Sequence, residues 1–258
     1  MSSQTNVYPS NKTCLLQFFL LLLSLIIPWH AYSAEQWQEL KPGIEYQDLE
    51  GGILSLWSHV HVFRVSLSEH QLALVSAKNL DVKNAPADQF AERSNALLSI
   101  NGGFFDHEFN PLGLRINNKK LENPLKKISW WAIFYIKDNK AHIAKLDNFH
   151  HDDEIEFAVQ SGPRLLIKGR IPQLKVGSAD RTALGITADG HVIILVSTNA
   201  AMSTHELAHL MKSAPLFCTD AINLDGGSSS QLYAHINSFL LNVHGFSNVS
   251  DAIIVKTR

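Results

Sequence analysis

Ala221-Ile222-Asn223-Leu224-Asp225-Gly226-Gly227-Ser228-Ser229-Ser230 is the stretch on which the fold turns. An apolar pair leads into Asn223-Leu224-Asp225, two glycines follow, and Leu232-Tyr233 resumes the apolar pattern. That order reads as a strand ending in a sharp turn. The glycines open backbone conformations closed to other residues and let a ligand approach the main chain. Asp225 then stands at a strand end with little bulk before it. A polar hairpin tip is the plainer explanation of an isolated Asp-Gly-Gly. A second copy shifts the balance. Leu97-Leu98-Ser99-Ile100 runs into Asn101-Gly102-Gly103-Phe104-Phe105-Asp106. Two such corners at one sheet edge would make a single cleft.

Working outward, Thr182–Ile186 and Val192–Val196 flank Ala188-Asp189-Gly190 as a hairpin. Trp130–Ile136 and Ala141–Ala144 flank Asp138-Asn139 as another. Val60–Leu67 and Leu72–Ala77 read as an antiparallel pair across Ser68-Glu69-His70. Pro86–Arg93 reads as a short helix with proline in its first turn. Ser203 to about Lys212 reads as a second helix, and Ala252–Val255 as a last strand. Strands outnumber helices and hairpins dominate. The expected class is therefore α+β, a single domain with a largely antiparallel or mixed sheet core flanked by a few helices.

The chain has 258 residues. Lys12, the apolar run from Leu15 to Ile27 and the exit Ala31-Tyr32-Ser33-Ala34 form the pattern of a secretory signal peptide over residues 1–33. The apolar core falls short of the roughly 20 residues of a membrane span, with an uncleaved anchor as the alternative. The expected address is periplasmic or secreted, with no membrane association once the signal is removed. Residues 34–258 form the expected domain. Removing Lys12 and no acid takes the formal charge from −2 to −3, and no basic cluster points to nucleic acid. Cys218 is the one thiol left, so the mature fold rests on its core without an internal disulfide. Its apolar neighbours Leu216-Phe217 imply burial.

His205-Glu206-Leu207-Ala208-His209 matches H-E-x-x-H, the zinc-peptidase helix signature. Leu207, Leu210, Met211 and Ala214 define the buried stripe of that helix, which turns both histidines toward solvent. Glu206 stands three residues after Ser203, the spacing of a capping box. The zinc-peptidase reading is the weaker one. His59 and His61 share a strand face opposite Val60 and Val62, a spacing open to metal, though a solvated face explains it as simply. No metal ligand set is assigned.

Asn101-Gly102-Gly103-Phe104-Phe105, Pro111-Leu112-Gly113-Leu114, Ser161-Gly162-Pro163, Arg181-Thr182-Ala183-Leu184-Gly185 and Asn223-Leu224-Asp225-Gly226-Gly227 resemble, in that order, the motifs of phosphodiester glycosidase (NAGPA-type) domains. The resemblance runs from about residue 55 to the C-terminus. It implies hydrolysis of a sugar phosphodiester at the glycosyl–phosphate bond, in a glycoconjugate or envelope polymer. One departure is Ser228, where the family often has a third glycine.

Such a bond breaks with oxocarbenium character and releases a phosphate monoester, already a stable anion. The site needs a carboxylate near the anomeric carbon, for which Asp225 is the first choice. It needs a cation for phosphate, and Arg181 offers a bidentate fork. It needs backbone amides around oxygen, which the turns Gly102-Gly103 and Gly226-Gly227 supply. Asn101, Thr182, Ser228 and Ser229 are candidate hydrogen-bonding partners, and Asp106 a second carboxylate. No cofactor is required, and a divalent ion beside Asp225 and the phosphate is compatible with the sequence. The alternative from another class is a polysaccharide-binding or assembly module without turnover.

Overall fold

Apolar residues that alternate every second position need a cover on one face, and those in unbroken runs need one on both. The computed structural model describes residues 37–49 and 57–258, with residues 1, 3 and 4. The signal-peptide reading and the boundary at residue 34 lie outside them. Trp37–Arg258 forms one compact unit.

In chain order the early strands are β1 Gln38–Lys41, β2 Ile44–Asp48, β3 His59–Val65, β4 His70–Ser76 and β5 Leu98–Asn101. Then come β6 Arg115–Asn117, β7 Lys120–Asn123, β8 Ala132–Lys137, β9 Lys140–Lys145, β10 Ile155–Ser161 and β11 Arg164–Leu166. The later ones are β12 Ser178–Ala179, β13 Thr182–Thr187, β14 Val192–Thr198, β15 Met202–Ser203 and β16 Cys218–Asn223. β17 Leu232–Ile236, β18 Phe239–Val243 and β19 Asp251–Thr257 close the chain. The helices are α1, Ala87–Ser94, and α2, Thr204–Lys212.

Three main sheets run β1-β2-β3-β14-β13-β16-β11, β18-β17-β5-β19-β4 and β7-β6-β10-β8-β9; β12 and β15 form a small fourth. Every strand pairing among the described residues is antiparallel. The expected α+β class with antiparallel sheet holds.

The three sheets share one core. Phe63, Ile194 and Ile222 of the first meet Leu74, Ile100 and Ile253 of the second and Phe134 and Phe157 of the third. On its outer face the first sheet places Val62, Ile193, Leu195 and Ala221 under Leu207, Ala208 and Met211 of α2. This double cover explains the unbroken apolar run Val192–Val196. Each such fully buried large side chain contributes roughly 1.5–3 kcal/mol. The second sheet has α1 on its outer face, with Phe90 against Ala252 and Ile254.

Local signals held where they were self-contained. The β13–β14 and β8–β9 hairpins form as read. Asp138 and Asn139, at φ 50° and 59°, supply the two left-handed residues that a tight hairpin turn needs. Ser203 caps α2: its hydroxyl accepts from the Glu206 amide and the Glu206 carboxylate accepts from the Ser203 amide. α2 ends at Lys212, which leaves Ala214 exposed and outside the stripe expected for it. Cys218 is buried, and burial pushes its thiol up to about 12.

One pairing fails. β3 and β4 are consecutive, yet they lie in different sheets, β3 between β2 and β14 and β4 beside β19. The turn after Val65 carries the chain from one layer to another, and β4 finds a full seven-residue partner in β19. The face that holds His59 and His61 also differs from the solvated one considered for it. It continues the Phe63 and Val65 core face, and His61 is buried.

Candidate active site

Chain crossings place both glycine corners at one end of the sheets. β5 ends at Asn101 in the middle of the second sheet, and β16 ends at Asn223 in the first. Asn101 is fully buried and ties them together. Its Nδ2 donates to the Asp225 carbonyl at 2.8 Å, and its Oδ1 accepts from Thr182 Oγ1 at 2.8 Å and the Gln231 amide at 3.3 Å. The backbone around Arg181 is laced to the same corner. Leu224 N donates to Thr182 O and Gly227 N to Asp180 O, each at 2.8 Å. Gly227 itself sits at φ 61°, a conformation that glycine takes without strain.

Beside this junction lies a cleft of about 490 Å³. Asp225, Arg181, Asn223, Gly226 and Gly227 line it, with Trp130 and Phe104 on one side and the loop Gln173–Gly177 on another. Asp225 is the sole carboxylate among the lining residues, and Arg181 and Lys175 are the cations. The Asp225 carboxyl accepts from the Gly226 amide at 3.0 Å and from the Ser229 hydroxyl. Burial outweighs these bonds and raises its pKa above the ordinary value of 3.8. Arg181 is half-buried. Its Nε donates to Met202 O at 2.8 Å and its Nη2 to Gly177 O at 2.6 Å, which aims the guanidinium without neutralising it. The neighbouring Asp180 does not pair with it. The Asp180 carboxylate accepts instead from the Asn199 and Ala200 amides.

The other expected residues fall in different places. Thr182 is buried behind the cleft, bonded to Asn101 and 3.3 Å from Ser230 Oγ. Ser229 is buried beneath Asp225, whereas Ser228 is exposed and does not line the cleft. Gly102 and Gly103 do not line it either. They pass over a buried ion pair, Arg115 Nε to Asp251 Oδ2 at 2.7 Å. A Cβ on Gly102 would stand 1.9 Å from Asp251 Oδ1, so this glycine answers a packing demand. Asp106 also lies outside the cleft. Its carboxylate caps its own turn through the Glu108 amide and the Asn110 amide and side chain, which hold it below its ordinary pKa. His205 and His209 are exposed on α2 and line no part of it.

Several contributors had no assigned role in the sequence reading. Asn223 is 3% exposed, and its Nδ2 donates to the Gly162 and Leu224 carbonyls. Its Oδ1 is buried and has no hydrogen-bond partner among the described residues. Its position in Asn223-Leu224-Asp225-Gly226-Gly227 was the available signal. Trp130 and Trp131 precede β8, outside the strand expected over Trp130–Ile136. Trp131 is buried and stacks on Phe104 at 5.2 Å, and Trp130, half exposed, lines the cleft and meets Trp131 edge-on. Arg115 and Asp251, 136 positions apart, carry no sequence signal. For a hard cation the cleft lining offers one carboxylate, Asp225, set against two positive side chains.

The profile of the NAGPA phosphodiester glycosidase family matches residues 94–256, well over half of the chain and both glycine corners. The chain belongs to the phosphodiester glycosidase family. A stretch of 115 residues is 35% identical to the uncharacterized protein YigE of Escherichia coli K12, covering 40% of this chain and 45% of that one. The chain thus matches less than half the length of this relative. Among solved structures, the catalytic domain of zebrafish N-acetylglucosamine-1-phosphodiester alpha-N-acetylglucosaminidase, auto-inhibited by its pro-peptide, superposes with TM-score 0.64 at 20% identity. That superposition covers 89% of this chain and 86% of the zebrafish one. A hypothetical protein from Synechocystis gives TM-score 0.62 at 16% identity over 86% and 64% of the two chains. At these identities the structures establish a shared fold, and the phosphodiester glycosidase assignment rests on the profile.

Among the described residues no helix is long and apolar enough to cross a membrane.

Proposed function

We propose that this phosphodiester glycosidase relative is an exported hydrolase, periplasmic or secreted, of sugar-1-phosphodiesters in a glycoconjugate or envelope polymer. The observation that carries the reading is one cleft lined by a desolvated carboxylate, Asp225, and an uncompensated guanidinium, Arg181. Arg181 and Lys175 receive the phosphate, and the half-exposed Trp130 receives a sugar ring.

The reaction breaks the bond from the anomeric carbon to the phosphate oxygen, and the electron pair leaves with the phosphate. Water bonds to the anomeric carbon and gives up a proton. Ionised Asp225 stabilises the positive charge that develops at that carbon and accepts the proton. A phosphate departs as a stable anion, so a second carboxylate to protonate the leaving group is unnecessary. The single lining carboxylate matches that requirement.

The test is hydrolysis of a panel of sugar-1-phosphate diesters by the unmutated protein and by Asp225→Asn. Turnover should fall by about 10²–10⁴ in the variant, the usual weight of acid–base catalysis, with diester binding retained. If the unmutated protein binds a diester and hydrolyses none, the protein is a binding module and the proposal falls.

A further inference from the structure

The pair β2–β3 holds a second set of donors outside the cleft. Asp48 ends β2 in register with His61, and His59 lies two residues earlier on the same face of β3. His59 Nδ1 is 2.7 Å and His61 Nδ1 3.9 Å from the same atom, Asp48 Oδ2. The two imidazoles stack at 5.4 Å with 9° between their planes. One donor atom from each of the three residues lies within 4.8 Å of the others. Asp48 Oδ1 is buried with no hydrogen-bond partner among the described residues, and no Lys or Arg there pairs with Asp48.

A buried carboxylate oxygen without a partner is costly, and a cation is one physical answer to it. We propose that Asp48, His59 and His61 bind a divalent transition-metal ion of the zinc class. Two imidazoles and a carboxylate form a borderline donor set, suited to zinc rather than to calcium or magnesium. Ligand bonds of about 2.0–2.1 Å in a tetrahedron put donors roughly 3.3–3.4 Å apart. The separations of 2.7 and 3.9 Å to Asp48 Oδ2 straddle that value, and all three donors lie within 4.8 Å of one another. The Tyr46 hydroxyl, 2.9 Å from His61 Nδ1, is a further oxygen on the same strand pair, able to ligate or to orient a bound water.

The ion is a structural clip, because none of these residues lines the cleft. It joins the end of β2 to the start of β3. That start is bonded onward: Ser58 Oγ donates to Asn199 O at 2.6 Å, and the Asn199 amide donates to the Asp180 carboxylate at 3.3 Å, next to Arg181.

The test is titration of the chelator-treated full chain with zinc and with cobalt. Metal content, the visible spectrum of bound cobalt and thermal midpoint are the readouts. One equivalent should bind, with a four-coordinate cobalt spectrum and a raised midpoint. Asp48→Asn and His59→Gln should each weaken binding by at least about 10–100-fold, the range seen for losing even an outer partner of a ligand. His59 is part-exposed, so its variant keeps the test informative if Asp48→Asn fails to fold. The double variant His205→Ala with His209→Ala removes the exposed helix pair, whose rings lie 4.6 Å apart, and should leave binding intact. Less than one equivalent in the unmutated chain, unchanged affinity in His59→Gln, or loss of binding in the helix-pair variant overturns the proposal.

Discussion

Substituting Gly102 by Ala tests the junction at its tightest point. The added Cβ would meet Asp251 Oδ1 at 1.9 Å, against the 3.0 Å below which real Cβ contacts essentially never fall. The carboxylate must retreat by about 1 Å. It cannot take the backbone with it easily, because Gly102 N donates to Asp251 O at 3.0 Å just past the end of the β5–β19 ladder. Retreat pulls Oδ2 from Arg115 Nε, and both side chains are nearly inaccessible to water, at 2% and 3% exposure. Breaking a buried pair of this kind costs roughly 3–5 kcal/mol. With a urea slope of about 3 kcal/mol per molar, the midpoint should fall by about 1–1.7 M. Equilibrium unfolding in urea, followed by tryptophan fluorescence, measures it. A double-mutant cycle with Asp251→Ala isolates the cause. Once the carboxylate is gone the clash is gone, so the double variant should be about as stable as Asp251→Ala by itself. If the two losses add, or if Gly102→Ala costs under about 1 kcal/mol, the packing argument is wrong.

Asn101→Ala should leave the buried Thr182 hydroxyl and the Asp225 carbonyl without their shared partner, costing about 2–4 kcal/mol and most of the turnover; urea unfolding and a diester assay measure the two effects. The acid limb of the pH–rate profile should lie above the ordinary carboxylate range, because burial raises the pKa of Asp225 and catalysis needs its ionised form. The same shift has a stability consequence. A raised folded pKa contributes stability below the unfolded value of 3.8 that is lost as pH rises through the folded one. Asp225→Asn should therefore be more stable than the unmutated protein at neutral pH and not at pH 3, as read by thermal unfolding at both. Ser203→Ala should cost about 1 kcal/mol by opening the α2 capping box, with the diester assay unchanged.

Much of the fold is legible because its signals are local. Asp138-Asn139 specifies its hairpin through residues that tolerate left-handed backbone, and Ser203 with Glu206 specifies a helix start. The partner of β4 is not legible, because alternation says that a strand has a partner without saying which one. Asp225 and Arg181 stood out as residue types at motif positions. Asp106 stood out for the same reason, yet its carboxylate caps its own turn.

The chain order of residues determined the strands, the caps, the two Asn/Asp-Gly-Gly corners and the family. Those features depend on backbone preferences and spacings within a few positions. The tertiary structure decided that Asn101 bonds to Asp225 across 124 positions, that Gly102 makes room for an ion pair and that Asn223 faces the cleft. Contacts between strands of different sheets depend on which layer each strand joins, and burial of the whole core settles that at once.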